Sequence, residues 1–585
     1  MRNEAKSSAR PGTLAWELGP AQRESLLTAR LALSDLQAPA LPDDTPLGVA
    51  AVHKDFRDLV DVSAGGGFTR TYGPPEAALA VPGQEYTALM RLPGRAHAFT
   101  VRLLVPDAFD WDAPLLVAAP SSGSRGVTGA IGDIGAWVLP QGHALVLTDK
   151  GTGIGAHILA SDTAYGPDLA PTNQASDPTT FRLNWTTELQ DYSAANPFAA
   201  ALKHAHSREN VEADWPRHVL EAIRFGLYTL RTQHAQGDDV PIKVFAAGVS
   251  NGGGASLRAA EADEDGLIDA VVVAEPNVTP KKAAAKQGLP LLDYATQMNL
   301  YLPAALLAKS LEDAPFADIS ALHGERYAHW ARDLAQLGLL EGPDTQALAK
   351  AALRKIEDIG FSPTSFDLLH AMGMMQAWPT ISYTYASAYG RFGVEEAFLG
   401  ARTVFADANL LTLEAGSARA PTADERARLG ATNSGLPPGG GLCLLYANGS
   451  MAQSIDDALA LRTLTTGTSP EARRVQQGMA EVSAACRNSG IPTLIVHGTS
   501  DPLIAPRHSS QAYFRTAAAA GQDMTHWRLY EIPGAQHFET LLMFEDVASR
   551  YTPQLPHFFA ALTACKAHVF DKQALPQTLM PSAWS

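Results

Sequence analysis

Short apolar runs alternate with amphipathic segments along most of this chain of 585 residues. Seven runs rich in aliphatic and aromatic residues, each leading into a turn, predict buried strands that begin near residues 98, 113, 143, 242, 268, 491 and 527. Segments between them, such as residues 213–235, carry apolar residues at three- and four-residue spacing and predict helices. Strands that alternate with helices predict an α/β fold with a mostly parallel sheet covered on both faces.

The alternation stops between residues 278 and 485, where helical and aromatic segments follow one another without strand-like runs. We predict that 278–485 is a helical cap or lid inserted between two parts of the core, 91–277 and 486–585. Residues 1–90 are expected to pack on the core as an extension. Aromatic and methionine side chains of the cap form either an apolar acyl pocket or ordinary core: Tyr327, Trp330, Met372, Met374, Met375 and Trp378.

The composition is that of a globular protein, with 46% hydrophobic and 18% charged residues. A net charge of −16 argues against nucleic acid or an anionic membrane surface as a partner, because both need a basic footprint. Since no run of roughly 18 apolar residues occurs, we expect no membrane span. The three cysteines, Cys443, Cys486 and Cys565, are too scattered for a disulfide framework or a zinc site and are expected to be buried or reduced thiols.

The first twenty residues contain no apolar stretch typical of a signal peptide. The sequence as written therefore predicts a cytoplasmic protein, or a secreted or periplasmic one if a leader has been removed.

The strand near residue 242 ends in Gly248-Val249-Ser250-Asn251-Gly252, and an alanine-rich amphipathic segment follows at once. A G-x-S-x-G pattern between a strand and a helix is typical of a nucleophile elbow, which presents the serine hydroxyl above the sheet. The glycines after Asn251 leave little bulk beside Ser250, which we interpret as room for a substrate. The alternative is an ordinary glycine-rich turn, because the bare motif is common.

A serine nucleophile needs a base and an orienting acid, which follow it in the chain order Ser, Asp or Glu, His in this fold class. Asp501 lies in the turn after the strand near 491, and His537 in the turn after the strand near 527. The carboxyl ends of parallel strands meet at one edge of a sheet, so we predict that both turns reach Ser250. Together these residues predict an α/β-hydrolase fold with a Ser250–His537–Asp501 triad.

The developing oxyanion needs backbone donors. One is the amide of Asn251, and the glycine-bearing loop after the strand near 113 is the expected source of another, around Ser122 and Gly123. A plain glycine loop is the alternative. Lys150 and His157 follow the strand near 143 and are expected at the rim, where the glycines fit no nucleotide-binding fingerprint.

His204 and His206 stand two positions apart and would face the same way on a strand or extended loop. A metal site is conceivable there, but no further Cys, His or acidic cluster completes it, so structural or substrate contacts are favoured. No metal or organic cofactor is expected.

Several longer strings carry a family resemblance: "SSGSRGVTGAI", "KHAHSREN", "GVSNGGGASLRAAE", "TLIVHGTSDPLIAPRHSSQAYF" and "EIPGAQHFE". From about residue 50 to 570 the chain resembles the 3-hydroxybutyrate oligomer hydrolases, also called hydroxybutyrate-dimer hydrolases, with the weakest match in the cap. The resemblance implies a serine esterase with Ser250 as nucleophile. Its substrates would be short (R)-3-hydroxybutyrate oligomers, the soluble products of polyhydroxybutyrate degradation.

Such oligomers end in a carboxylate, and Arg125 and Lys150 on predicted rim loops are candidates to bind it. Two other functions stay open at this point. One is a tannase- or feruloyl-esterase-like carboxylesterase acting on aromatic acyl groups, and the other is a hydrolase-fold binding module without catalysis.

Overall fold

A computed structural model describes residues 15–24, 81, 83–127, 129–153, 155–166, 170–233, 241–281, 288–396, 400–409, 413–422 and 442–581. Its centre is a nine-stranded sheet. In chain order the strands are β1 (Ala15–Glu24), β2 (Gly83–Arg91), β3 (Ala98–Pro106), β4 (Leu115–Pro120), β5 (Ala144–Thr148), β6 (Lys243–Val249), β7 (Ala270–Ala274), β8 (Thr493–Gly498) and β9 (Trp527–Ile532).

The spatial order of the strands is β1-β2-β3-β5-β4-β6-β7-β8-β9. The six strands from β5 to β9 run parallel, whereas β1, β2 and β3 join them as an antiparallel edge. All seven strands expected from the apolar runs are present, and the helix expected over 213–235 spans Trp215–Gln233. The prediction of a mostly parallel sheet is therefore confirmed, and the fold is that of an α/β-hydrolase.

Continuous apolar runs form the parallel strands because both faces of the sheet are covered. One face packs against the segment around Trp137 and the helix Leu555–Asp571. The other face packs against three helices, Trp215–Gln233, Asn251–Ala262 and Ser510–Ala519. Each layer buries its apolar side chains almost completely, so the carboxyl edge of the sheet is held rigidly between them.

The described part of the segment 278–485 forms a cap with a hydrophobic core of its own. Its helices are Leu291–Ala305, Ala317–Ala321, Gly324–Gln336, Thr345–Ile359, Leu369–Met374, Ala377–Gly390, Ile455–Thr466 and Pro470–Glu481. The segment also contains an antiparallel sheet of Arg402–Asn409, Glu414–Ala418 and Leu442–Leu445. The expectation of a cap without strands is wrong here, because Arg402–Asn409 and Glu414–Ala418 mix polar and small residues and so lack the continuous apolar runs that identify the central strands.

The cap core also includes side chains from an earlier part of the chain, residues 156–205. This excursion after β5 contains the short strands Ala156–Ile158, Ala164–Tyr165, Pro171–Thr172 and Ala200–Leu202 and the helices Thr187–Ala195 and Lys203–His206. The cap is thus assembled from two separate stretches of sequence, one of which lies within the region 91–277.

The described residues of segment 1–90 belong to the central sheet. β1 and β2 form its antiparallel edge, and β2 continues past residue 90 to Arg91. None of the helices in the described residues is long and apolar enough to cross a membrane.

Candidate active site

Ser250 occupies a sharp turn between β6 and the helix Asn251–Ala262, which we name the elbow helix. Its backbone has φ 55° and ψ −120°, a conformation that non-glycine residues rarely adopt. The Ser250 N–H donates to the carbonyl of Ala274 at the end of β7, at 3.0 Å, which helps to hold the turn. This is the strained strand-to-helix turn that the G-x-S-x-G motif predicts.

The glycines around Ser250 accommodate the protein's own backbone. A Cβ on Gly252 would overlap the carbonyl oxygen of Pro120 at the end of β4, and one on Gly254 would overlap that of Asn277. The interpretation of these glycines as room for a substrate is therefore wrong. They allow the elbow helix to lie directly against the segments that follow β4 and β7.

Three side chains form a hydrogen-bonded chain at the carboxyl edge of the sheet. His537 Nε2 lies 3.2 Å from Ser250 Oγ, and His537 Nδ1 lies 2.8 Å from Asp501 Oδ2. The turns that carry Ser250, Asp501 and His537 follow β6, β8 and β9. These strands are parallel; β7 lies between β6 and β8, and β9 pairs with β8. This arrangement has the geometry in which an imidazole removes the proton of a serine hydroxyl while a carboxylate fixes its orientation.

Asp501 is held as a carboxylate by its surroundings. Its Oδ1 accepts the backbone N–H groups of Leu503 and Ile504 at 2.7 and 2.8 Å, and His497 Nε2 lies 3.3 Å from its Oδ2. Burial raises the pKa of Asp501, but the adjacent His537 and His497 outweigh it, so the pKa lies below its ordinary value. The carboxylate can therefore stabilise an imidazolium on His537.

Glu275 is a second buried carboxyl group at the triad, and the sequence analysis missed it. One of its oxygens lies within 4.8 Å of ligand atoms of Asp501 and His537. Burial, followed by the charges of Asp501 and Asp133, raises the pKa of Glu275 well above its ordinary value. The pKa values of these two adjacent carboxyl groups are thus shifted in opposite directions, that of Glu275 upward and that of Asp501 downward. Glu275 directly follows β7, and this position was available from the sequence as an indication that it lies at the carboxyl edge of the sheet.

Two of the three predicted oxyanion residues, Asn251 and Gly123, line the cavity at Ser250. Asn251 is the first residue of the elbow helix, where backbone N–H groups lack acceptors within the helix. Gly123, with φ 53°, and Ser124 line the same cavity as Ser250 and Asn251, whereas Ser122 does not line it. The loop 121–126, which we name the early loop, thus stands where a second donor is needed, and the role of its amides stays a prediction.

Lys150 does not lie at the rim. It is fully buried, and its Nζ donates to Ser121 Oγ at 2.9 Å and to the carbonyl of Gly123 at 2.7 Å. Burial lowers the pKa of Lys150 to about 7. The prediction that Lys150 binds a substrate carboxylate is therefore wrong, because its ammonium group is committed to the back of the early loop. Arg125 is partly buried and does not line the cavity at Ser250.

The histidines singled out in the sequence are structural. His157 is buried and bonded to Asp162 at 2.7 Å, away from any rim. His204 and His206 lie on the helix Lys203–His206 instead of a strand. His204 Nδ1 lies 2.6 Å from Ser124 Oγ, and His206 Nε2 lies 3.2 Å from the hydroxyl of Tyr383. Both histidines thus contact other side chains of the protein, and whether either also contacts substrate stays a prediction. The expectation of buried, unbridged cysteines is confirmed.

The cap reaches the cavity at Ser250 through the helix Ala377–Gly390, which we name the bridging helix. The Asn251 side chain donates from Nδ2 to the hydroxyl of Tyr385 at 2.8 Å. Thr380, Ile381 and Thr384 of the same helix line the cavity at Ser250, whose volume is about 120 Å³. No local sequence signal marks Tyr385, since its role depends on how the cap is placed.

Comparisons with known proteins bear on this site. A sequence model described as "3HB-oligomer hydrolase (3HBOH)" matches residues 21–580. The chain belongs to this family. A protein of Paracidovorax citrulli named D-(-)-3-hydroxybutyrate oligomer hydrolase is 34% identical over 94% of this chain and 86% of its own. One of the same name from Albidiferax ferrireducens is 33% identical over the same shares.

Membership of this family makes the chain a carboxylic ester hydrolase. Among solved structures, feruloyl esterase B from Aspergillus oryzae is similar with a TM-score of 0.43 and 12% identity. The similarity covers 98% of this chain and 91% of that one.

Proposed function

We propose that the protein is a serine esterase that hydrolyses the ester bonds of short (R)-3-hydroxybutyrate oligomers to the monomer, within polyhydroxybutyrate degradation. The observation that carries the mechanism is the chain of hydrogen bonds from Ser250 through His537 to Asp501. The substrate class rests on the family and on relatives named for hydrolysis of such oligomers.

In the first step Ser250 Oγ attacks the ester carbonyl carbon while His537 Nε2 takes the hydroxyl proton. The amide of Asn251 and the early loop then bind the oxyanion of the tetrahedral intermediate. Collapse of this intermediate breaks the ester C–O bond, and His537 returns the proton to the leaving hydroxyl of one product. Water attacks the acyl-enzyme by the same route in reverse, and Asp501 stabilises the imidazolium in both halves.

The decisive experiment is product analysis with purified (R)-3-hydroxybutyrate dimer and trimer, using the wild type and Ser250→Ala. We expect monomer from the wild type and a loss of kcat of at least about 10⁴-fold in the variant. Ser256→Ala is the matched control, because Ser256 lies on the same elbow helix but bonds to the carbonyl of Ala247 at 3.2 Å.

An organophosphate should label Ser250 in the active enzyme. Full hydrolysis by Ser250→Ala would overturn the serine mechanism. A feruloyl ester hydrolysed much faster than the dimer would overturn the substrate class and favour an esterase for aromatic acyl groups.

A further inference from the structure

A second cavity lies inside the cap, between the helices Leu291–Ala305 and Gly324–Gln336 and the start of the bridging helix. We name it the cap cavity. Its volume is about 40 Å³, which exceeds the ~10–15 Å³ needed for one water molecule. Its apolar walls include Leu302, Leu306, Trp330 and Met372.

Hydrogen-bond donors dominate the polar part of this cavity. Arg326 lines it, and its only recorded bond within the described chain is from Nη2 to the carbonyl of Gln453, at 3.0 Å. Three other lining side chains carry buried nitrogens with no partner among the described residues: Asn299 Nδ2, Trp378 Nε1 and Gln453 Nε2. Buried donors left without acceptors are costly, so this set is complementary to a ligand that accepts hydrogen bonds.

The charge of the cap cavity is positive, from Arg326. No Asp or Glu is among the described residues that line it, and Arg326 forms no ion pair within the described part of the chain. Burial lowers the pKa of Arg326, and the nearby phenols of Tyr327 and Tyr446 oppose this shift. An arginine keeps its charge at neutral pH. A partly buried guanidinium that has no carboxylate partner within the protein is a common binding site for the carboxylate of a ligand.

The cap cavity and the cavity at Ser250 share two helices. On the helix Leu291–Ala305, Asn299 lines the cap cavity and Leu291 lines the cavity at Ser250. At 1.5 Å per residue, these two residues are about 12 Å apart along the helix axis. On the bridging helix, Pro379 lines the first cavity and the adjacent Thr380 the second. In the dimer only four bonds separate the ester carbonyl carbon from the carboxylate carbon, which is too short for this separation. In a trimer the more distant ester carbonyl is eight bonds from the carboxylate, so a trimer or a longer oligomer has the length to contact both cavities.

We propose that the cap cavity binds the terminal carboxylate of the hydroxybutyrate oligomer through Arg326, while an ester bond of the same molecule lies at Ser250. This rests on the proposed function and supplies the carboxylate-binding cation that the sequence analysis sought in Arg125 and Lys150. The enzyme then selects acyl chains that end in a free carboxylate over neutral esters of the same length.

The test compares the trimer as free acid with its methyl ester, which has the same internal ester bonds but no charge. In Arg326→Gln, kcat/KM for the acid divided by that for the methyl ester should fall roughly 10- to 100-fold, as expected for loss of a hydrogen bond to a charged group. Arg332→Gln is the control, because Arg332 is an exposed arginine of the same helix. It should leave the ratio unchanged, and Arg326→Lys should restore part of it.

Asn299→Asp provides an independent variant of nearly equal size, which places a negative charge in the cap cavity. It should lower the same ratio. If the acid and the methyl ester lose activity by equal factors in both variants, or if neither ratio changes, the carboxylate site is wrong. If the wild type cleaves neither form of the trimer but Ser250 is labelled and another ester is cleaved, the proposed function itself has failed.

Discussion

The two cavities of this protein are built in different ways. At Ser250 the backbone segments after β4, β6 and β7 lie so close together that glycines are required between them. In the cap cavity, the polar groups come from side chains on separate helices and on the segment before the helix Ile455–Thr466, and much of the wall consists of aliphatic and aromatic groups. We infer that the first cavity determines whether catalysis occurs and that the second determines which ester is preferred.

The largest effect is expected from Asp501→Asn. The amide keeps the shape of the carboxylate but removes the charge that orients and stabilises His537, so kcat should fall about 10⁴-fold. Acid and neutral esters should be affected equally, because Asp501 contacts His537 and not the substrate cavity. A selective loss for one ester class would contradict the division of roles between the two cavities.

Gly254→Ala should produce the next largest effect. Its Cβ would overlap the Asn277 carbonyl oxygen and lie 2.8 Å from the carbonyl carbon, so the elbow helix must shift. A displacement of about 1 Å at a nucleophile costs roughly 100-fold in rate. Kinetics of the folded variant, together with its melting temperature, check this expectation, and wild-type activity with an unchanged melting temperature would disprove it.

Lys150→Met tests the support of the early loop. Loss of the bonds to Ser121 and Gly123 should free the loop and lower kcat about tenfold, less than the 10²–10³-fold cost of removing an oxyanion donor itself. KM should change little, because Lys150 does not line the substrate cavity. A rise in KM for acid substrates alone would instead restore Lys150 as a carboxylate-binding residue.

The lowered pKa of Lys150 also predicts that the stability of the protein depends on pH, and Lys150→Met is the reference for this effect. The folded-state pKa of Lys150, about 7, lies below the ordinary value of 10.5. Between these pH values the unfolded chain binds more protons than the folded chain, so this group makes stability rise with pH across that range. The free energy of unfolding of the wild type should therefore increase relative to that of Lys150→Met from about pH 7 to pH 10. Parallel curves for the two proteins would argue against a buried, weakly basic lysine.

The smallest effect is expected from Gly373→Ala, the counterpart of Gly254→Ala in the cap cavity. Its Cβ meets only the end of the Leu306 side chain, at 2.9 Å, which can move aside. Since alanine favours a helix over glycine by up to about 1 kcal/mol, stability should change by no more than that. The preference for acid over neutral ester should shift by a few-fold, measured as the ratio of kcat/KM values. A loss of all activity would show that the cap is as tightly constrained as the elbow.

Several features could be predicted from the sequence because their physical causes are local. The apolar runs require burial on both faces, which predicted the seven strands and the parallel arrangement of six of them, whereas β3 pairs antiparallel. The turn at Ser250 needs its glycines, and the rule that parallel strands end at one edge brought Asp501 and His537 to it. The same rule could have identified Glu275, which directly follows β7.

The sequence by itself therefore determined the fold class and the three residues of the candidate triad, since hydrophobic periodicity is local and the carboxyl ends of parallel strands meet at one edge of the sheet. Only the tertiary structure decided the roles of Lys150, Tyr385 and Arg326. Whether a lysine lies at a rim or behind a loop depends on what packs over it, and the cap joins residues 156–205 to helices that begin only at Leu291. Contacts between such distant segments leave no periodic pattern in the sequence, because each side chain's burial and charge balance are set by its neighbours in space.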